Sequence, residues 1–271
     1  MKIAVRTICL GSGPFGSSQL ERVLETCRDM GLDGVQMSPV ELNPVDVSAK
    51  QRAAFRRKVE QMGMVITAVN AGPNLVDPST IQQSLALVKS YMELSVDLGS
   101  GIVTGECKAK PPGLSDDEAS STLTSAAEAL AAYGESTGAC FAIEPGPTCF
   151  VSTPEGLLEL CRRIDSPHFK VNYDPANVLR AGSDPAGGVR LLGHLIVHTH
   201  AKDARRYPDG TSREVRIGHG GVDFPRYLQA LRDVGFEGFL TIEREHGEDR
   251  ISDVREAKEY LSQLLASPTQ A

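Results

Sequence analysis

Four short segments of this sequence end in residues able to ligate a hard metal ion: Phe141-Ala142-Ile143-Glu144, Val171-Asn172-Tyr173-Asp174, His198-Thr199-His200 and Thr241-Ile242-Glu243. Three carboxylates brought close together repel one another, and burying even one without a partner costs several kcal/mol. A divalent cation among them resolves that conflict. Three oxygen ligands and one imidazole suit Mn²⁺, Mg²⁺, Co²⁺ or Fe²⁺ better than a thiolate-seeking ion, with Zn²⁺ also able to fit. An acid that closes an apolar run more often caps a helix or pairs with a base, so the expectation rests on the four residues together.

The elements that would position them follow from a recurring glycine. Met30-Gly31, Met62-Gly63, Leu98-Gly99, Thr137-Gly138 and Val234-Gly235 each close an amphipathic stretch, and an apolar run begins within a few residues. Glycine accepts the left-handed conformation that ends a helix, so each reads as a cap leading into a strand. The stretches before them carry a 3.6-residue stripe, as in Leu20, Val23, Leu24 and Cys27, or Tyr227, Leu228, Leu231 and Val234. Ser115-Asp116-Asp117-Glu118 has the form of a capping box, and Thr153-Pro154 that of an N-cap followed by proline.

The apolar runs predict strands at 3–8, 34–37, 65–69, 101–104, 140–144, 170–174, 195–200 and 239–243. Strands alternating with helices imply parallel pairing. Eight such units in 271 residues predict an α/β fold, a single-domain (β/α)₈ TIM barrel spanning 1–271. No G-x-G-x-x-G follows the first strand, which weighs against a dinucleotide-binding sheet. In a barrel the strands' C-terminal ends carry the chemistry, so Glu144, Asp174, His200 and Glu243 converge on one ring. Alternation then turns Ala142, Asn172, His198 and Thr241 inward beneath them, and Ile143, Tyr173, Thr199 and Ile242 toward the helices.

A net charge of −7, with acids and bases interleaved, offers no general attraction for nucleic acid or an anionic membrane. No apolar stretch approaches the roughly 20 residues of a membrane span, and the start reads as no signal peptide, so a cytoplasmic protein is expected. The six cysteines have no zinc-finger or redox spacing and are expected as reduced thiols. Residues 267–271 are expected as a frayed tail.

The ordered set Ile143-Glu144-Pro145, Tyr173-Asp174-Pro175-Ala176-Asn177, His198-Thr199-His200-Ala201-Lys202-Asp203, Gly218-His219-Gly220-Gly221-Val222-Asp223-Phe224 and Ile242-Glu243-Arg244-Glu245 resembles the xylose isomerase-like barrel superfamily over nearly the whole chain. This is the sugar phosphate isomerase/epimerase group that also contains the AP endonucleases. The resemblance implies that Glu144, Asp174, His200 and Glu243 bind the metal, with Mn²⁺ first and Co²⁺ next. It also implies that Glu144 and Glu243 move protons on opposite faces of a carbohydrate substrate, and that the protein can be a homo-oligomer. Asn177 stands where the family often has histidine; its amide can orient a hydroxyl but cannot shuttle a proton at neutral pH. The family's substrate-binding arginine corresponds to Arg205 or Arg206. Lys202, His198 and His219 are further candidates for substrate contact, each with an ordinary alternative as an ion-pair partner, a barrel-layer histidine or a loop residue. Asn70, Glu106 and His246 stand near the expected mouth, and Asp203 reads as a cap for the next loop.

The implied reaction begins by removing a proton beside a carbonyl to give an enediolate. Returning the proton gives epimerisation or aldose–ketose isomerisation, the expected outcome. Expelling a β-oxygen instead makes the enzyme a lyase acting on an inosose or 3-keto-glycoside. Endonuclease chemistry is remote, because Asn70, Glu106 and Glu214-Val215-Arg216 stand where a three-metal cluster would need histidines. A non-catalytic sugar-binding barrel is equally remote.

Overall fold

All five helix-ending glycines take positive φ, from 67° at Gly31 to 82° at Gly99. Gly138 shows why: its N–H donates to Gly134 O at 2.7 Å in a left-handed turn, and the chain enters the next strand two residues later. The pattern repeats around the protein, seen in a computed structural model describing residues 1–267. The strands are β1 (Lys2–Arg6), β2 (Gly34–Met37), β3 (Val65–Asn70), β4 (Ile102–Glu106), β5 (Cys140–Glu144), β6 (Phe169–Tyr173), β7 (Ile196–Ala201), β8 (Asp203–Arg206), β9 (Ser212–Val215) and β10 (Phe239–Ile242). The helices are α1 (Ser18–Asp29), α2 (Ala49–Gln61), α3 (Ile81–Asp97), α4 (Asp116–Thr137), α5 (Pro154–Ile164), α6 (Pro175–Arg180), α7 (Pro185–Leu192), α8 (Phe224–Asp233) and α9 (Arg250–Ala266).

Eight strands close a parallel barrel in the order β1-β10-β7-β6-β5-β4-β3-β2. The predicted strands at 34–37 and 140–144 coincide with β2 and β5; the others shift by one or two residues at an end. The largest correction is in β1, which stops at Arg6 because Thr7–Leu10 winds into a 3₁₀ turn. Ser115 and Glu118 form the expected capping box on α4, and Thr153 caps α5 ahead of Pro154. The apolar stripe of α1 is buried in full, as are Tyr227, Leu228 and Leu231 of α8. Among the cysteines, Cys9, Cys27, Cys107 and Cys161 are buried, and all six are free thiols. Ser267 ends α9; residues 268–271 of the expected tail lie outside the described residues. None of the described helices is long and apolar enough to cross a membrane.

The antiparallel hairpin β8–β9 lies outside the barrel and was not anticipated, since its strands lack apolar alternation. Its turn is nevertheless written in Pro208-Asp209-Gly210, with Gly210 N–H donating to Tyr207 O at 3.0 Å. Asp203 anchors the chain beyond it. Its carboxylate accepts from the backbone N–H groups of Ala204, Gly218, Gly220 and Val222 at 2.8–3.1 Å. A Cβ on Gly220 would collide with that carboxylate and stand 2.6 Å from Ala204 O, which explains a glycine there.

Candidate metal centre

The inward alternation expected of the strands builds a polar layer under the barrel mouth. His198 Nδ1 stands 2.8 Å from Asn172 Oδ1, and its Nε2 stands 3.1 Å from Thr241 Oγ1. The Asn172 amide then donates upward to Glu144 Oε2 at 3.0 Å. Burial, with His200 adding to it, pushes His198 well below the ordinary histidine range, so it stays neutral and serves as a strut. His198 is thus buried beneath the ligand ring, where the strand alternation places it.

Above this layer the strand ends bring together ligand atoms of Glu144, Asp174, His200 and Glu243, all within 4.8 Å of one another. Asp174 is the N-cap of α6: Oδ1 accepts from Asn177 N–H at 2.9 Å, while Oδ2 is buried without a hydrogen-bond partner. His200 is oriented from behind. Its Nε2 lies 2.9 Å from Gln36 Oε1, an oxygen that can only accept, and the Gln36 amide donates to Thr104 Oγ1 at 2.8 Å. The ring proton therefore sits on Nε2 in the neutral tautomer, leaving the Nδ1 lone pair aimed at the carboxylates. Nδ1 lies 2.7 Å from Glu243 Oε2, 3.3 Å from Glu144 Oε1 and 3.6 Å from Asp174 Oδ2, none of them aligned as a hydrogen bond. Glu243 Oε2 is likewise buried and unpartnered.

Buried polar atoms are nearly always hydrogen-bonded, so three orphans facing one point are a specific signal. The donor set, three carboxylates and one imidazole nitrogen, fits a hard or borderline divalent cation. Without one, the site balances charge through protons. Burial opposes charging His200, but Glu243 and Glu144 outweigh it and hold the imidazole well above its ordinary range. The two glutamates differ. Burial raises Glu144, with His200 opposing the rise and Glu243 and Asp174 adding to it, and its hydrogen bonds come from the neutral amides of Asn172 and Asn177. Burial acts on Glu243 too, yet Lys202, Arg6 and His200 hold it well below the carboxylate range.

The ring opens into a cavity of about 360 Å³, whose walls include Arg6, Asn70, Glu106, Asn177, Arg180 and Lys202. Lys202 reaches Glu243 Oε1 at 3.2 Å, and Asn177 Nδ2 donates to Glu144 Oε1 at 3.2 Å, so both expected residues arrive at the site. Asn70 and Glu106 also line it. His219 and Arg205 do not arrive: both are exposed beside the hairpin, where Arg205 Nη2 donates to His219 O at 2.5 Å. Arg206 is exposed on the same strand and lines no wall of this cavity. Arg205 and Arg206 lie on β8, which pairs with β9 outside the barrel, and His219 lies on the loop beside them.

Arg6, Gln36 and Arg180 were not singled out from the sequence. Arg6 ends β1 and pairs through Nη1 with Glu243 and, at 3.2 Å, with Glu245. A charged residue directly following the buried run Ile3-Ala4-Val5 was the available signal. Gln36 lies within a fully buried strand, where a lone amide is equally conspicuous. A second acidic group, Glu214, Glu245 and His246, also lies within 4.8 Å. Its carboxylates are already matched, Glu214 by Arg244 at 2.9 Å and Glu245 by Arg6 and Lys202.

With the geometry established, comparison with known proteins is informative. The profile of xylose isomerase-like TIM barrels matches residues 24–264. An uncharacterised protein of Methanocaldococcus jannaschii, MJ1311, is 34% identical over 112 residues, 40% of this chain and 37% of that protein. The L-ribulose-5-phosphate 3-epimerase UlaE of Escherichia coli O157:H7 is 23% identical over 93% of this chain and 92% of its own length. The crystal structure of the IolI protein with a bound zinc atom superposes with a TM-score of 0.83 at 19% identity, covering 98% of each chain.

Proposed function

The chain belongs to the xylose isomerase-like TIM barrel family, and on that premise we propose that it is a metal-dependent isomerase or epimerase of a small ketose or keto-sugar. The observation that carries this is the trio of buried, unpartnered atoms, Asp174 Oδ2, His200 Nδ1 and Glu243 Oε2, facing one centre beside Glu144. Glu144, Asp174, His200 and Glu243 would hold the ion, with Mn²⁺ the first candidate. Bound there, a divalent cation supplies charge that lets the carboxylates coexist and polarises a substrate carbonyl.

The remaining work falls to side chains. Lys202 and Arg6 keep Glu243 ionised and so able to accept a proton from the carbon beside the carbonyl. Glu144, raised by burial and hydrogen-bonded by two neutral amides with no described lysine or arginine paired to it, is the better place to keep a proton for return. Asn177 can orient a substrate hydroxyl against Glu144, but it has no proton to relay. Arg6 and Lys202 stand beside any negative charge that develops on a substrate oxygen near Glu243.

Incubation in deuterated water with a panel of ketoses, keto-glycosides and inososes tests the proposal. Deuterium at an α-carbon, without loss of water, is the expected result. An enone product would replace isomerase by lyase, and no exchange from any member of a metal-loaded sample would overturn both.

A further inference from the structure

Four cationic side chains reach the cavity: Arg6, Lys108, Arg180 and Lys202. Three are matched by carboxylates. Arg6 pairs with Glu243 and Glu245, Lys108 with Glu106 at 3.0 Å, and Lys202 with Glu243 at 3.2 Å and Glu245 at 3.5 Å. Arg180 makes no ion pair among the described residues. Its Nε donates instead to Ser212 Oγ at 3.0 Å. That neutral acceptor on β9 fixes the plane of the guanidinium. It leaves the terminal N–H groups, the fork that pairs with phosphate or carboxylate oxygens, without a described protein acceptor.

The surroundings repeat the signal. Arg180 also lines an adjoining cavity of about 340 Å³, together with Ser212 and Arg213. Arg213 too makes no ion pair among the described residues. The carboxylates that share this cavity, Glu214 and Glu245, are held by Arg244, Arg6 and Lys202 rather than by Arg180. The position along the helix is also informative. Asn177 and Arg180 lie three residues apart on α6, hence on one face and about 4.5 Å apart along its axis. Asn177 contacts Glu144, so Arg180 stands outward of the metal centre.

We propose that Arg180, held by Ser212, is the subsite for an anionic group on the substrate, a phosphate or carboxylate at the chain end away from the reacting carbons. This rests on the isomerase/epimerase proposal and narrows it to acidic sugars. The subsite involves no bond making; it selects and positions.

The test uses the metal-loaded protein with three probes sharing one carbon skeleton: a ketopentose, its terminal phosphate and its terminal carboxylate. Titration calorimetry gives affinities, and deuterium exchange gives kcat/KM. The wild-type protein should favour at least one anionic probe over the neutral sugar by roughly tenfold or more, as expected for a charge-assisted contact. Which anion gains identifies the group. Arg180→Met should bring that preference close to unity, and Arg180→Lys should restore part of it. Equal affinity of the wild-type protein for all three probes would overturn the subsite. So would a preference that survives Arg180→Met, with circular dichroism showing the variant folded. Exchange from the neutral sugar without anion preference rejects the subsite alone; no exchange from any probe rejects the isomerase proposal as well.

Discussion

A carboxylate has two oxygens, and Asp174 uses them differently. Oδ1 caps α6, and Oδ2 faces the centre with nothing to accept from. Capping and ligation compete as explanations when only the sequence is in view, yet one side chain has an oxygen free for each. His200 divides its ring in the same way, giving Nε2 to Gln36 and Nδ1 to the centre. Gln36→Leu should therefore weaken metal binding by roughly 10–100-fold, as loss of such outer-shell support typically does. A competition titration with a chelator dye measures this, and an unchanged affinity would remove Gln36 from its orienting role. Glu243→Gln should lower α-carbon exchange by a factor of roughly 100–10,000, the usual scale of a lost general base. A variant that keeps bound metal yet exchanges at the wild-type rate would make another group the base.

Among the elements, β8–β9 and the glycine loop do the least to close the barrel and the most to shape its mouth. Asp203 gathers three backbone N–H groups from that loop and a fourth from Ala204, which leaves room for no side chain at Gly220. Gly220→Ala should cost about 1–3 kcal/mol, the usual penalty of overpacking, read as a lower Tm. An unchanged Tm would mean that the loop relaxes freely. The same elements mark where sequence reasoning stopped. The barrel strands were legible because apolar runs end in glycine-capped helices, a pattern fixed by local backbone sterics. The four ring residues were legible because each closes or follows a strand whose period is two. The hairpin turns the chain outward between Lys202 and Gly218, so Arg205, Arg206 and His219 leave the site although they follow His200 closely in sequence. Arg6 and Arg180 reach the cavity through side-chain length and neighbouring packing, neither of which spacing encodes.

For the molecule as a whole, the buried charges couple stability to pH and metal. In the metal-free protein His200 holds its proton above the ordinary value of 6.5, so this stabilisation is complete below that value and lost as pH rises through the elevated one. Glu144, raised from 4.5 by burial, contributes fully below that value and loses its effect as pH rises through the elevated one. Glu243, held below 4.5, contributes above that value and loses its effect as pH falls through the depressed one. Thermal melts with chelator should therefore show Tm falling as pH rises above 6.5, whereas metal-loaded protein stays level because the cation replaces the proton. Parallel profiles with and without metal would show that the centre is not where the titration occurs. More direct still is elemental analysis of purified, dialysed protein beside Asp174→Ala. One divalent ion per chain is expected in the wild type and close to none in the variant. A metal-free wild type that takes up no Mn²⁺, Co²⁺ or Zn²⁺ on titration, or a variant that binds as much as the wild type, would contradict a cation held by Glu144, Asp174, His200 and Glu243.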